Sequence, residues 1–357
     1  MEHKTLLDTY RNFVLKIKTH PIYAFVVFVL LLGFLIFTYA HPLNTHYENS
    51  AHASLPSTNQ PAGTFTLITE PDQSITPVLN MIKNATSSID LVMYEFKDKQ
   101  IADALAVAQK RGVIVRVLLN EGYYGKEEAM NEPAYSYLES LEIPVHWTPE
   151  YFALTHQKTL IVDQNKALIM TFNLAPEYYA TGRDFGILDI DQNDVRAIEN
   201  TFENDWTHQN VLPSNGDDLV WSPGVDENML VIINSAKKEL DIYNEEMEDS
   251  VITDALMNAA RRGVAVNIVM TYQSAAKLAF GQLKNAGVSL HLFHGEKFYI
   301  HAKMIIADDT NAFLGSENFS YTSLNKNREL GIFLSDPIII NSLVKTFYAD
   351  FNNAKEY

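Results

Sequence analysis

The chain has 357 residues, 47% of them apolar and none of them cysteine. That length allows one large domain or two ordinary ones with a sizeable core, and the lack of cysteine excludes disulfides, thiolate metal sites and thiol catalysis. A net charge of −17 gives little non-specific attraction to nucleic acid or anionic headgroups, although a local basic pocket remains compatible with it.

Residues 1–21 form a short leader that carries Lys4, Arg11, Lys16 and Lys18. Residues 22–40, IYAFVVFVLLLGFLIFTYA, are uncharged. At about 1.5 Å of helical rise per residue such a run crosses a bilayer's hydrocarbon core. The next Lys or Arg is Lys83, so the positive-inside rule keeps the leader cytoplasmic and exports the remainder of the chain. We read 22–40 as an uncleaved single-pass anchor in the cell membrane. The alternative is secretion after cleavage at Thr38-Tyr39-Ala40, but the apolar run is longer than an ordinary signal-peptide core.

Residues 41–63 are rich in Pro, Ser, Thr, Asn and Ala and read as a flexible tether. His41, His46 and His52 lie in it as solvated linker side chains. From there the chain is duplicated. Residues 87–119 and 238–270 each predict strand, helix, strand, with Asp90, Leu105, Arg111, Gly112 and Val113 matching Asp241, Leu256, Arg262, Gly263 and Val264 at an offset of 151. Gly112 and Gly263 stand where a helix end needs a left-handed residue. Helix-like stretches at 75–85 and 227–238 precede each repeat and are expected to pack on its sheet. Alternating strands and helices predict α/β architecture in each half. The halves are placed at 64–210 and 219–357, joined by a connection at 207–218.

A second repeat carries the chemistry. Residues 156–173 read HQKTLIVDQNKALIMTFN and residues 301–318 read HAKMIIADDTNAFLGSEN. The first gives His156, Lys158, Asp163 and Asn173, followed by Asp184. The second gives His301, Lys303, Asp308 and Asn318, followed by Glu329, at an offset of 145. His and Lys two apart in an apolar run predict one face of a strand. The segments DQNKA and DDTNA predict turns, and LIMTFN and FLGSEN predict the returning strand that brings each Asn beside the His–Lys face. Two imidazoles, two ammoniums and two amides in matched settings are groups able to cleave a phosphodiester without a metal.

The duplicated His-x-Lys-x4-Asp pattern, with Gly315, Ser316 and Asn318 and a later acid, resembles the phospholipase D superfamily over about residues 64–353. The first copy departs from it, with Met170-Thr171 for Gly-Ser and Asp184 for Glu. The resemblance implies a pseudo-two-fold pair of α/β/α lobes, preceded here by the anchor helix, with both His–Lys pairs at the interface. It implies a phosphohistidine mechanism: one imidazole attacks phosphorus and the other protonates the leaving alcohol, with His156 favoured as nucleophile. Lys158, Lys303, Asn173 and Asn318 would hold the phosphate oxygens. Asp184 and Glu329 would fix the tautomers. Thr171 and Ser316 would shape the phosphate pocket, and Asp163 and Asp308 would be structural. No metal, cofactor or protein partner is implied. The expected activity is phospholipase D-type hydrolysis of phospholipids, hence lipid degradation, or transphosphatidylation. An endonuclease held at the membrane and acting on DNA or RNA, and a non-catalytic binding module, are the alternatives.

Elsewhere, Glu95 and Glu246 occupy equivalent strand ends, either at the pocket mouth or as structural carboxylates. The run NEEMED (244–249) lacks the Gly and spacing of a calcium loop and is read as a solvated edge. The aromatics near the motifs, among them Phe172, Tyr178, Tyr179 and Tyr299, are read as packing residues with a capacity to receive acyl chains or bases.

Overall fold

The computed structural model describes residues 55, 60–122, 130–295 and 298–357. The chain divides into two units, 1–49 and 50–357, and the described residues fall in the second. The leader at 1–21, the anchor at 22–40 and most of the tether at 41–63 therefore lie outside them. Among the described residues no helix is long and apolar enough to cross a membrane.

The first lobe runs β1 (Phe65–Glu70), α1 (Thr76–Asn84), β2 (Ser88–Met93), α2 (Lys99–Lys110), β3 (Ile114–Leu119), α3 (Glu132–Ser140), β4 (Val145–Trp147), β5 (Thr159–Val162), β6 (Lys166–Met170), β7 (Gly182–Asp189) and α4 (Gln192–Trp206). The second runs β8 (Leu219–Ser222), α5 (Asp226–Ser235), β9 (Glu239–Tyr243), α6 (Ser250–Arg261), β10 (Ala265–Thr271), α7 (Lys277–Asn285), β11 (Ser289–Phe293), β12 (Tyr299–Ile300), β13 (Lys303–Ala307), β14 (Asn311–Gly315), α8 (Tyr321–Asn325), β15 (Glu329–Leu334), α9 (Pro337–Asn353) and β16 (Lys355–Glu356). Residues 207–218 contain neither helix nor strand and join the two.

Each lobe has a mixed sheet. The first orders β1-β7-β6-β5-β2-β3-β4 and the second β16-β11-β10-β9-β13-β14-β15-β8. Strands β2, β3 and β4, like β9, β10 and β11, are parallel, because helices return the chain between them. The remaining pairs within each sheet are antiparallel, some between consecutive strands and others between distant ones. The two lobes also exchange backbone pairing, since β12 of the second lobe runs parallel to β7 of the first.

Local chemistry repeats with the sequence. Asp98 caps α2 by accepting from the backbone of Gln100 at 2.8 Å and Ile101 at 3.2 Å, and Asp249 caps α6 through Val251 at 2.8 Å and Ile252 at 3.0 Å. Both helices stop at a glycine in the left-handed region, Gly112 at φ +94° and Gly263 at φ +92°. The β5–β6 and β13–β14 turns place two residues each at positive φ, Asp163 with Gln164 and Asp308 with Asp309, as a tight hairpin requires. The Asp163 carboxylate accepts from the backbone of Thr86, Ser87 and Ser88, and Asp308 accepts from Lys237, Lys238 and Glu239. These two acids thus tie the hairpins to the starts of β2 and β9.

Apolar side chains form three layers. One core packs the outer helices on the first sheet and another does the same on the second. The third lies between the lobes, where Val195, Ile198 and Phe202 of α4 and Ile340, Leu343 and Phe347 of α9 pack with Ile161, Phe185, Tyr243 and Met304 of the two sheets. Two buried ion pairs cross this layer. Arg183 binds Asp350 at 2.6 and 3.1 Å, and Arg328 binds Asp205 at 3.1 Å through two nitrogens. The pairs are related by the 145-residue offset and run in opposite directions between the lobes.

The His-x-Lys segments depart from the expected strand. β5 begins at Thr159, after His156 and Lys158, and β13 begins at Lys303. The cause is a backbone partner on the other lobe. His156 N and Gln157 N donate to the Arg328 carbonyl at 2.9 and 3.1 Å, and His301 N and Ala302 N donate to that of Arg183 at 3.2 and 2.9 Å. Each segment leaves its own ladder to reach across the interface.

Candidate active site between the lobes

The interface encloses a cavity of about 650 Å³, lined among others by His156, His301, Asn173, Asn318 and Asp184. Each histidine is oriented by the acid of the opposite lobe. His156 Nδ1 lies 2.8 Å from Glu329 Oε2, and His301 Nδ1 lies 2.8 Å from Asp184 Oδ1. The residue that delivers each acid is preceded by the arginine whose carbonyl receives the histidine segment, so acid and imidazole are positioned by one cross-lobe contact. An Nδ1–H donated to a carboxylate leaves the Nε2 lone pair available for chemistry.

The acids are themselves fixed from behind. Glu329 Oε1 accepts from Ser323 Oγ at 2.5 Å and Asn327 Nδ2 at 2.9 Å. Asp184 Oδ1 accepts from Thr171 Oγ1 at 2.5 Å. Burial alone would raise the Glu329 carboxyl, but the charges and hydrogen bonds of His156, Lys158 and Ser323 hold it below its ordinary value. Thr171 and Ser316, expected to shape the phosphate pocket, stand against Asp184 and the β15 backbone. Both are fully buried, and Thr171 serves Asp184 while Ser316 Oγ accepts from Leu330 N at 3.2 Å.

Lys158 and Lys303 are almost wholly buried behind the cavity, each donating to the carbonyl of its own histidine at 2.5 Å. Burial, with Lys303's charge next, pushes the Lys158 ammonium down to about 7. Burial, with Lys158's charge next, pushes His156 down to about 4. The His156 imidazole is therefore neutral at ordinary pH. Asn173 Oδ1 and Asn318 Oδ1 are buried without a hydrogen-bond partner while their residues line the cavity, so both retain polar capacity there.

Met170 does not alter the cavity. It is fully buried in the outer core of the first lobe. The matching Gly315 has no room for a side chain, because a Cβ there would stand 2.5 Å from Gly331 Cα. Phe172 and Glu317 differ at the next inward position, so the two lobes pack this corner with different residues.

The run NEEMED is not a solvated edge. Glu245 Oε2 lies 2.9 Å from Lys303 Nζ and 3.5 Å from His301 Nε2, and Oε1 accepts from the Tyr299 hydroxyl at 2.9 Å. Burial would raise this carboxyl, yet the Lys303 and His301 charges hold it well below the usual range. The repeat points to the matched pair Glu95 and Glu246, both of which line the cavity. The signal for Glu245 was the mismatch beside that pair, Tyr94 against Glu245 at the same offset. Ser323 and Asn327 carried no such signal. Their counterparts are Tyr178 and Gly182, so the repeat does not mark them.

The rest of the lining combines carboxyls with aromatics: Glu70, Glu177, Phe172, Tyr178, Tyr179 and Tyr299. Lys97 bonds both Glu177, at 2.8 Å, and Glu95. Glu70 is 2% exposed and its carboxyl is pushed up to about 8 by burial and then by Asp184's charge.

Comparison with known proteins bears on the family and the fold. A family model described as "Cardiolipin synthase, PLD-like domain" matches residues 78–206 and 229–353. The chain is 25% identical to cardiolipin synthase 2 of Bacillus cereus over 342 residues, covering 81% of this chain and 65% of that protein. It is 25% identical to the major cardiolipin synthase of Bacillus subtilis over 339 residues, covering 82% of this chain and 69% of that one. Among solved structures, phosphatidylserine synthase of Haemophilus influenzae superposes with a TM-score of 0.67 at 15% identity, covering 86% of this chain and 90% of that chain, a likeness of fold. With both halves of the chain matched by one family model and two histidine–acid pairs facing one cavity, the chain belongs to the phospholipase D-like domain family of the cardiolipin synthases.

Proposed function

We propose that this protein is a phosphodiesterase of the phospholipase D type that transfers phosphatidyl groups at a membrane. The observation that carries the reading is the crossed pairing of His156 with Glu329 and of His301 with Asp184 around one cavity. In the first step the Nε2 lone pair of one imidazole attacks phosphorus, the bond to the leaving alcohol breaks, and the second imidazole gives its proton to that oxygen. In the second step the deprotonated imidazole takes a proton from an incoming hydroxyl. Its oxygen attacks phosphorus, and the P–N bond breaks to restore the first histidine. Water gives hydrolysis; a lipid hydroxyl gives transfer. Lys158, Lys303, Asn173 and Asn318 hold the phosphate oxygens and stabilise their charge in the transition state.

Two observations favour a lipid over nucleic acid. The cavity lining carries Glu95, Glu177 and Glu246 beside Lys97, an acidic surround that disfavours a polyanionic strand and can accept from polyol hydroxyls. The sequence at 22–40 would hold the site beside lipid. The names of the relatives favour synthesis of cardiolipin over lipid degradation; in the two-step scheme above, a phosphatidyl group passed from one phosphatidylglycerol to a hydroxyl of another, with release of glycerol, would make it.

The test is incubation of the full chain, in detergent and EDTA, with labelled phosphatidylglycerol, phosphatidylcholine and single-stranded DNA. The expected result is cardiolipin and glycerol from phosphatidylglycerol, lost in His156→Ala and His301→Ala. Cleavage of DNA alone would replace the lipid reading with the endonuclease. Binding without turnover of any substrate would replace it with a non-catalytic module.

A further inference from the structure

The two halves of the site face the cavity with matched motif residues, but they differ sharply at one neighbouring position. Where the chain leaves β2 it places Tyr94, and at the corresponding end of β9 it places Glu245. Tyr94 sets its ring against His156, centroids 4.5 Å apart, with the Lys158 ammonium 4.8 Å from that ring. Glu245 instead reaches Lys303 Nζ at 2.9 Å, His301 Nε2 at 3.5 Å and Asn318 Nδ2 at 3.5 Å. Tyr299, which also meets Gln273 Nε2 at 3.4 Å, anchors its other oxygen.

We propose, resting on the phosphohistidine reading above, that Glu245 is a positioning residue that gives the reaction its direction: it keeps the proton on His301 Nε2, making His301 the acid and His156 the nucleophile. His301 faces a carboxylate at each ring nitrogen, Asp184 at Nδ1 and Glu245 at Nε2. Carboxylates accept and do not donate when ionised, so a ring placed between two of them is satisfied when both nitrogens carry protons. At His156 the carboxylate contact is at Nδ1, and the neighbouring group from β2 is an aromatic ring. Burial and the Lys158 charge keep that imidazole neutral. The other charged groups at the His301 corner are Lys303, Lys158 from the opposite lobe, and Glu246 beside Glu245. In the first step the proton kept on Nε2 passes to the leaving oxygen.

Three readouts on the full chain in detergent micelles test this. Turnover of labelled phosphatidylglycerol is quenched and the phosphorylated histidine mapped by mass spectrometry. The label is expected on His156 in the wild type and divided between His156 and His301 in Glu245→Gln; label on His301 in the wild type, or on His156 alone in the variant, overturns the proposal. The alkaline limb of kcat in Glu245→Gln is expected to move to lower pH by about one unit, with Glu245→Asp restoring part of it. An unchanged profile overturns the proposal; because Glu245 also supports the Lys158 charge, the moved limb is assigned to His301 by the spectra below. The third readout needs no substrate. Nitrogen-15 spectra of labelled histidines at neutral pH are expected to show His301 doubly protonated and His156 neutral. His301 neutral in the wild type overturns the proposal. If no lipid is turned over, the functional reading fails, and these spectra still decide the role of Glu245.

Discussion

At the scale of single residues, the site's pH behaviour follows from burial. His156 is the better nucleophile when neutral, and its environment places proton uptake at about 4. In the proposed mechanism Lys158 binds phosphate as a cation, and burial removes that charge as pH rises through about 7. The account therefore predicts that kcat/KM stays high well below pH 6, with an acid limb near 4, and falls as pH rises through about 7; steady-state kinetics in EDTA measure it. Removing either imidazole is expected to cost about 10⁴-fold in kcat, and the double variant little more, because the two act as one unit. Glu70 gives a stability effect of opposite sign to the usual carboxylate. Its folded value of about 8 exceeds its unfolded one, so its contribution is present below the unfolded value and lost as pH rises through about 8. Glu70→Gln is expected to raise the melting temperature at pH 9 and to leave it nearly unchanged at pH 4.

At the scale of elements, the crossed ion pairs position the chemistry. Arg328 holds Asp205 of α4 through its guanidinium and holds His156 through its carbonyl. Arg183 does the same for Asp350 of α9 and His301. Arg328→Ala leaves Asp205 buried without its partner and is expected to cost about 3–5 kcal/mol in urea denaturation. The double variant Arg328→Ala with Asp205→Ala should recover part of that loss, because the uncompensated charge is gone. Gly315→Ala is expected to destabilise by about 1–3 kcal/mol through the clash with Gly331. The repeat made several of these elements legible. The helix ends at Gly112 and Gly263, the turns at Asp163 and Asp308, and the histidines, lysines, asparagines and paired acids of the two motifs carried local signals. What it hid was contact across the interface. His156 and His301 read as strand residues because their own flanks are apolar and β-branched; the partner that draws them out of the ladder is more than a hundred residues away. Glu245 read as one acid in an exposed run, since charge pattern alone does not reveal that β9 ends at the cavity.

At the scale of the whole molecule, neither half contains a complete histidine–acid pair. His156 needs Glu329 from the second lobe and His301 needs Asp184 from the first. The layer between the lobes draws apolar side chains from both sheets and from α4 and α9, so fold and site are assembled by the same interface. The acidic charge of the chain and the Glu95, Glu177 and Glu246 side chains of the cavity lining both support the proposed lipid substrate over a long polyanion. The central claim is that one diester bond is broken in two displacements through a histidine. The stereochemistry at phosphorus tests this most directly, using a phosphatidylglycerol analogue made chiral at phosphorus and turned over by the full chain. Two in-line displacements restore the starting configuration, so the account predicts net retention; net inversion would show a single direct displacement and contradict it.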